Sequence, residues 1–416
     1  MAARPASSGI ARTARPTLRG TALAAAGVLS LIGAAALGRS DLLFAGLFLV
    51  VAPLAALVSI GRSRPDWEVR RSFGPDVVEA GETVRDIVVV RNLADRAVPA
   101  AGWRGPLPSG LTGERRGVLP RLEPFSLGRR ALDRASLSRR IRAERRGVYD
   151  VAPLTLRRVD PFGLAVADWL MGAARPLLVT PRVTALDFGS RAAELEGGLV
   201  SELLSFALPN ADEVAVREYH PGDPIRRVHW RATARHGEVM VREEERQSGP
   251  SAWLLLDTAR AARDGSGDEA AFERAVELVA SLGVALLEHG FALGVAETAS
   301  DGVVARYDAS GGRQELARAL AGVERRAEGE RAGAMGLAAQ ARRSGRVSPT
   351  FVVLASAYPT AVALGELRRS AAPAVAFLLG PAVAHANALA AEGWECVVVD
   401  PDESADIWAG LRRWAP

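Results

Sequence analysis

SAWLLLDTA, residues 251–259, is a run of uncharged and mostly apolar residues closed by Asp257. A strand with one wet face would alternate polar and apolar side chains, and this one does not, so it reads as a strand buried on both sides. FALGVAET (291–298), TFVVLASA (350–357), AVAFLLG (374–380) and CVVVD (396–400) have the same character. Between the first two lies EAAFERAVELVASLGVALLEHG (269–290), an amphipathic helix pattern closed by Gly290. Strands of this kind alternating with Ala- and Leu-rich helices predict a parallel sheet covered on both faces over residues 251–416. Ligands in such folds sit at the carboxyl ends of the strands, the positions of Asp257, Ser356 and Asp400.

Upstream the rhythm changes. WEVRRSF (67–73), the turn PDVVEAGE (75–82) and TVRDIVVVRNLADRAVP (83–99) read as a pair of antiparallel strands, with DIVVV in the core. Further short β-type runs extend to RPLLVTPRV (175–183), and residues 65–185 are expected to form an antiparallel β-sandwich. Eight arginines (129, 130, 134, 139, 140, 142, 145 and 146) read as the solvated face of these strands, or as a contact for anionic lipid or an acidic partner.

The N-terminal 64 residues hold two uncharged stretches, TALAAAGVLSLIGAAALG (21–38) and LLFAGLFLVVAPLAALVSIG (42–61). Each is close to the ~20 residues that cross a bilayer core. Arg4, Arg12, Arg15 and Arg19 precede the pair, and Arg62, Arg64, Arg70 and Arg71 follow it. By the positive-inside rule both ends face the cytoplasm, giving a two-span cell-membrane protein with its soluble domains inside. A cleaved signal peptide is the competing reading of the first stretch; the second span directly behind it favours the hairpin.

Composition narrows the function classes. The chain has 416 residues, and its 52 basic residues are all arginine against 48 acidic ones, so the formal net charge is only +4. That balance does not suit a nucleic-acid binder. A single cysteine, Cys396, excludes an intramolecular disulfide and a Cys-based metal cage. No nucleophile elbow, phosphate loop, zinc-protease or paired-Cys motif is present, and no cofactor or catalytic residue is expected.

The densest run of chemically capable residues is YHPGDPIRRVHWRATAR (219–235) in the linking segment 186–250. EVAVREYH (213–220) has strand character, and Pro221-Gly222 turns the chain. Asp223 followed by Pro224 starts a helix. IRRVHWRATAR would continue it for about three turns before Gly237 stops it, and VMVREEE (239–245) resumes a strand. On that helix Ile225, Val228, His229 and Ala232 form the expected buried stripe. Arg227, Arg231 and Arg235 share another face, flanked by Arg217 and Arg242. Three readings compete. A metal-assisted hydrolase would use His220, Asp223 and His229, although a His-to-His spacing of nine matches no standard ligand pattern. An anion grip would use the arginine stripe to hold phosphate or nucleic acid, which no interleaved aromatics support, and a further option is binding of anionic lipid or an envelope precursor. The leading reading is an interaction element in which Tyr219, His229 and Trp230 pin the helix at a domain junction while Arg226, Arg227, Arg231 and Arg235, with the run Glu243-Glu244-Glu245, form ion pairs or dock a partner.

VREYHPGDPIRRVHWRATARHGEVMVREEE (216–245) closely resembles the signature of the domain-of-unknown-function 58 family of bacterial proteins, and RRVDPFGLA (157–165) resembles a second landmark of it. The signature positions are Arg217, Tyr219, Pro221, Gly222, Asp223, Arg226, Arg227, His229, Trp230, Arg231, Ala234 and Arg235. The resemblance implies a C-terminal block similar to a von Willebrand factor A domain, a doubly wound α/β sheet. It also implies a MoxR-type AAA+ ATPase as partner in assembling or maturing other proteins, whose identity is unknown. A metal-binding A domain carries Asp-x-Ser-x-Ser after its first strand; here the run is Asp257-Thr258-Ala259-Arg260-Ala261, so the position is degenerate and no metal is expected. The expectation is a non-enzymatic, membrane-anchored adaptor of four parts: 1–64 hairpin, 65–185 β-sandwich, 186–250 junction and 251–416 α/β domain.

Overall fold

The computed structural model describes residues 14–62, 66–125, 132–185, 216–220, 228, 230–242, 250–260, 266–300, 302, 304–327, 332–356 and 361–400. The chain divides into two compact units, Met1–Thr180 and Pro181–Pro416.

In the first unit β1 (Arg15–Pro16) leads into α1 (Leu18–Leu37) and α2 (Ser40–Arg62). Then follow β2 (Trp67–Gly74), β3 (Val77–Glu79), β4 (Thr83–Asn92), β5 (Ala101–Arg104), β6 (Leu111–Gly113) and β7 (Arg116–Leu119). β8 (Arg134–Ala143), β9 (Gly147–Val151), β10 (Leu154–Val159), β11 (Ala165–Met171) and β12 (Arg175–Thr180) complete it. Both helices are long and apolar enough to cross a membrane. They pack closely where Gly27 meets Gly46, each lacking the Cβ that would strike the other's carbonyl oxygen at 2.9 Å. Ser30 Oγ donates to Leu42 O across the pair at 2.9 Å.

The antiparallel sheets expected over 65–185 are present. One has the order β1-β11-β10-β5-β7 and another β2-β4-β8-β6; a third, β3-β12-β9, contains one parallel pairing. Side chains of the first two sheets share one core, with Val88, Val90 and Leu137 meeting Trp103, Leu156 and Trp169. Ala56 and Ile60 at the end of α2 belong to this core as well. Two expectations are corrected here. DIVVV is not buried throughout: β4 alternates, with Val88 and Val90 inside and Ile87 and Val89 half-buried on the outer face. Nor is the arginine run uniformly solvated. Arg134, Arg140 and Arg142 are exposed, but Arg139 points inward because β8 turns alternate residues to the core.

What receives Arg139 is Asp86 of β4, itself fully buried. Asp86 accepts from Arg139 Nε at 2.7 Å and from Arg71 Nε and Nη2 at 2.8 and 2.7 Å. Backbone carbonyls of Gly105 and Glu114 accept from Arg139 Nη1 and those of Val151 and Ala152 from Arg71 Nη1, while Arg139 Nη2 is buried without a partner. Burial holds the Arg139 guanidinium below its ordinary pKa, against the raising effect of the Asp86 hydrogen bond.

In the second unit β13 (Val216–Glu218), α3 (Trp230–His236) and β14 (Met240–Arg242) precede β15 (Ser251–Leu256) and β16 (Ala259–Arg260). Then come α4 (Ser266–Glu288), β17 (Ala292–Glu297), β18 (Ala305–Tyr307), α5 (Gly312–Ala321), β19 (Arg326–Ala327), α6 (Ala332–Arg343) and β20 (Ser348–Leu354). α7 (Ala361–Arg368), β21 (Ala371–Leu379), α8 (Ala386–Ala391) and β22 (Glu395–Val399) follow. The main sheet has the order β18-β17-β15-β20-β21-β22, parallel apart from the edge strand β18. From β15, Leu254 and Leu256 pack on α4 and α5 through Phe272, Val276, Leu316 and Leu320. Trp253 and Leu255 point the other way, onto Leu337 of α6 and Leu364 of α7. Fully burying each such side chain contributes about 1.5–3 kcal/mol. Helices on both faces are thus the physical reason these strands read as unbroken apolar runs.

Candidate interaction site

β13 and β14 form a two-stranded antiparallel ribbon in which Arg217 pairs with Val241. α3 packs beside it. Gly237, in the left-handed region at φ 78°, ends the helix, its N–H donating to Thr233 O at 2.9 Å. Thr233 Oγ1 accepts from Met240 N at 3.1 Å, tying the helix end to β14. The ribbon extends by a bond from Tyr219 N to Val239 O at 2.8 Å.

The predicted helix from Asp223 is corrected in its reach. Val228 forms a β-bridge with the buried Val241, and the helix begins only at Trp230. Extended pairing suits the β-branched Val228, and a helix this short has little propensity with which to oppose it. The stripe of Ile225, Val228, His229 and Ala232 is therefore not one helix face. Pro221, Gly222, Asp223, Arg226, Arg227 and His229 lie outside the described residues. The role given to Trp230 is corrected too. It does not pin the helix: it is 69% exposed, and Arg231, Ala234 and Arg235 on the same helix are exposed with it. Tyr219 sits at the border of exposure, and His220 Nδ1 lies 3.1 Å from Glu218 O.

A second polar cluster closes the carboxyl ends of β15, β17 and β20. Asp257 is buried. Its Oδ1 accepts from Thr298 Oγ1 at 2.9 Å and Ala259 N at 3.2 Å, and its Oδ2 from Ser356 N at 2.8 Å and Ala355 N at 3.2 Å. The carboxylate caps the segment that follows it and also clamps the two neighbouring strand ends. Protein donors thus engage both oxygens, and Ser356 Oγ alone among these groups is buried without a partner. Among the described residues the carboxylate is thus taken up as a structural acceptor of N–H and O–H groups. Burial pushes the nearby Glu297 carboxyl up from its ordinary pKa, with Arg326 opposing the shift. Among the described residues no group of three His, Cys, Asp or Glu side chains is placed to hold a metal ion.

The upstream landmark RRVDPFGLA forms a rigid turn between β10 and β11. The buried Asp160 accepts from Phe162 N at 2.9 Å through Oδ2 and from Ala165 N at 2.5 Å through Oδ1. Gly163 takes φ 72°, which that turn requires. Sequence reasoning singled out this run without assigning it a role, because its partner Thr17 lies 146 residues away.

A family model described as protein of unknown function DUF58 matches residues 215–372. That stretch belongs to the DUF58 family. The DUF58 segment runs from just before β13 to the start of β21, so it holds both the α3 ribbon and the Asp257 clamp. The apolar helices and the sheets of the first unit lie outside the DUF58 match. Among curated proteins no relative matches. Among solved structures, a CARDB domain from Pyrococcus furiosus, crystallised in complex with di-metal ions, is similar at 20% identity. The similarity covers 28% of this chain and 88% of that one, with a TM-score of 0.20, too low to bear on the fold or ligands of this chain.

Proposed function

We propose that this chain is a non-enzymatic adaptor or scaffold, anchored in the cell membrane by α1 and α2 with its soluble units on the cytoplasmic side. In this reading it works with a MoxR-type AAA+ ATPase in the assembly or maturation of other proteins. The observation that carries the proposal is Trp230, an indole held 69% exposed at the start of α3, a helix that also exposes Arg231 and Arg235. Trp and Arg are the side chains most enriched where protein partners bind tightly. A helix whose aromatic residue faces water, on a ribbon inside the DUF58 segment, is an interaction element looking for a surface. Two further features support the setting. Arg15, Arg19 and Arg62 flank the apolar pair on the side where β1 and β2 attach, the side that the positive-inside rule places in the cytoplasm. The main sheet, numbered in chain order by its own strands, reads 3-2-1-4-5-6 with strand 3 antiparallel. That order supports a von Willebrand factor A-like, doubly wound reading of the unit, with Asp257 at the degenerate metal position.

The test is retention of a purified MoxR-type ATPase by detergent-solubilised full-length protein. Replacing both Trp230 and Arg231 with Ala removes exposed side chains and leaves the fold intact. The double variant is expected to weaken retention by at least about 30-fold, the cost of a hot-spot pair. Equal retention by the variant and the parent protein would overturn the docking assignment.

A further inference from the structure

We infer that the Asp160–Leu164 turn is a membrane-contact element, with Phe162 seated among the lipid headgroups of the leaflet that α1 enters. This rests on the membrane-anchored reading above. Three independent features place the turn at that level. Thr17, the residue that caps α1, donates from its backbone N to Leu164 O at 2.9 Å and from Oγ1 to Gly163 O at 2.6 Å. Gly20 approaches Leu164 O so closely that a Cβ there has no room. The depth of the turn is therefore fixed by the depth of the first helical turn. α1 has 20 residues, a length of about 30 Å, which matches the hydrocarbon core with nothing to spare. Its first residue, Leu18, thus stands at the boundary between hydrocarbon and headgroups.

At this boundary the surface is apolar where water alone would not favour it. Leu18 is 86% exposed, Phe162 79% and Val159 50%. Single exposed hydrophobics are ordinary, but these three gather at the mouth of one apolar helix. Arg15 and Arg19 are exposed beside them, and Arg19 Nη1 reaches to 3.9 Å from where a side chain on Gly163 would begin. Aromatic rings in the interface and arginines facing lipid phosphate are the combination that anchors chains at this depth. Asp160 supplies the rigidity, accepting from Phe162 N and Ala165 N and so fixing the backbone that presents Phe162 outward.

The experiment places a fluorophore at residue 162 through Phe162→Cys in the full-length chain. The natural Cys396 is buried and its pKa pushed up by burial, so it stays unlabelled in the folded protein. The labelled protein is reconstituted in vesicles of phosphatidylcholine and phosphatidylglycerol. Quenching by a lipid-borne nitroxide is compared with quenching by aqueous iodide. Leu29→Cys at the middle of α1 and Ser136→Cys on the exposed face of β8 serve as references. The expected result is quenching at 162 by the nitroxide several-fold above that at 136, with shielding from iodide. If 162 behaves like 136 while 29 reports lipid, this inference fails and the anchor stands. If 29 itself reports water, both fall. Shielding of 162 from both quenchers would mean that protein covers the turn, which also overturns the inference.

Discussion

Asp86 is one carboxylate between two guanidiniums, and its position explains why β4 and β8 carry charge on their inner face. Both arginines are nearly inaccessible, with side-chain exposures of 6% for Arg71 and 2% for Arg139. Taking the three groups out of water is costly, and the bidentate bond to Arg71 together with the backbone acceptors offsets much of that. Removing Asp86 would leave two like charges facing each other in a space without solvent. Asp86→Ala is expected to lower the unfolding free energy by about 3–5 kcal/mol, read as a shift in the denaturant midpoint by tryptophan fluorescence. A loss no larger than that of an exposed pair such as Arg39–Asp41 would show that the triad does not hold the two strands together. The sequence reports the arginines but not this pairing. Asp86 and Arg139 are 53 positions apart and become neighbours only through the antiparallel register of β4 with β8. Phe162, too, is an ordinary turn residue until Thr17 is known to bond the next two residues of its turn.

At the scale of elements, what could be read from the sequence was what depends on local pattern. α1, α2 and α4 follow from their long apolar or amphipathic runs, and β15, β17, β20, β21 and β22 from continuous apolar character. The pieces that escaped are short and owe their existence to distant partners. β1 consists of two residues that pair with Val166 and Ala165, and β16 of two that pair with Arg326 and Ala327. The start of α3 escaped for the same reason, since Val241 claims Val228. The α1–α2 pair carries its own prediction. A side chain at Gly27 would collide with Gly46 O and Val50, whereas one at Gly33 would find its nearest neighbour, Leu42 Cδ1, at 3.9 Å. Gly27→Leu is therefore expected to cost on the order of 1–3 kcal/mol by overpacking, and Gly33→Leu much less. Thermal unfolding in detergent separates the two; equal midpoints would mean that the helices do not meet at Gly27.

For the whole molecule, each unit has its own apolar interior. One is built around Trp103 and Trp169, the other around Leu254 and Trp253 on the two faces of one sheet. Residues 181–416, expressed without the first unit, are accordingly expected to unfold in one cooperative transition. A broad, non-cooperative melt would show that this unit depends on the other. The same expression test cannot be transferred to the sheets of the first unit by cutting after α2, because Ala56 and Ile60 would leave their core with it. That arrangement has a mechanical consequence. The helix pair joins the sheets at two places: through Ala56 and Ile60 at the end of α2, and through β1 and Thr17 at the start of α1. A body held at one point swivels; held at two, it follows every tilt of its holder. Any force that leans α1 and α2 is delivered as torque to β1 and its neighbour β11, and the sheets turn with the helices as one lever.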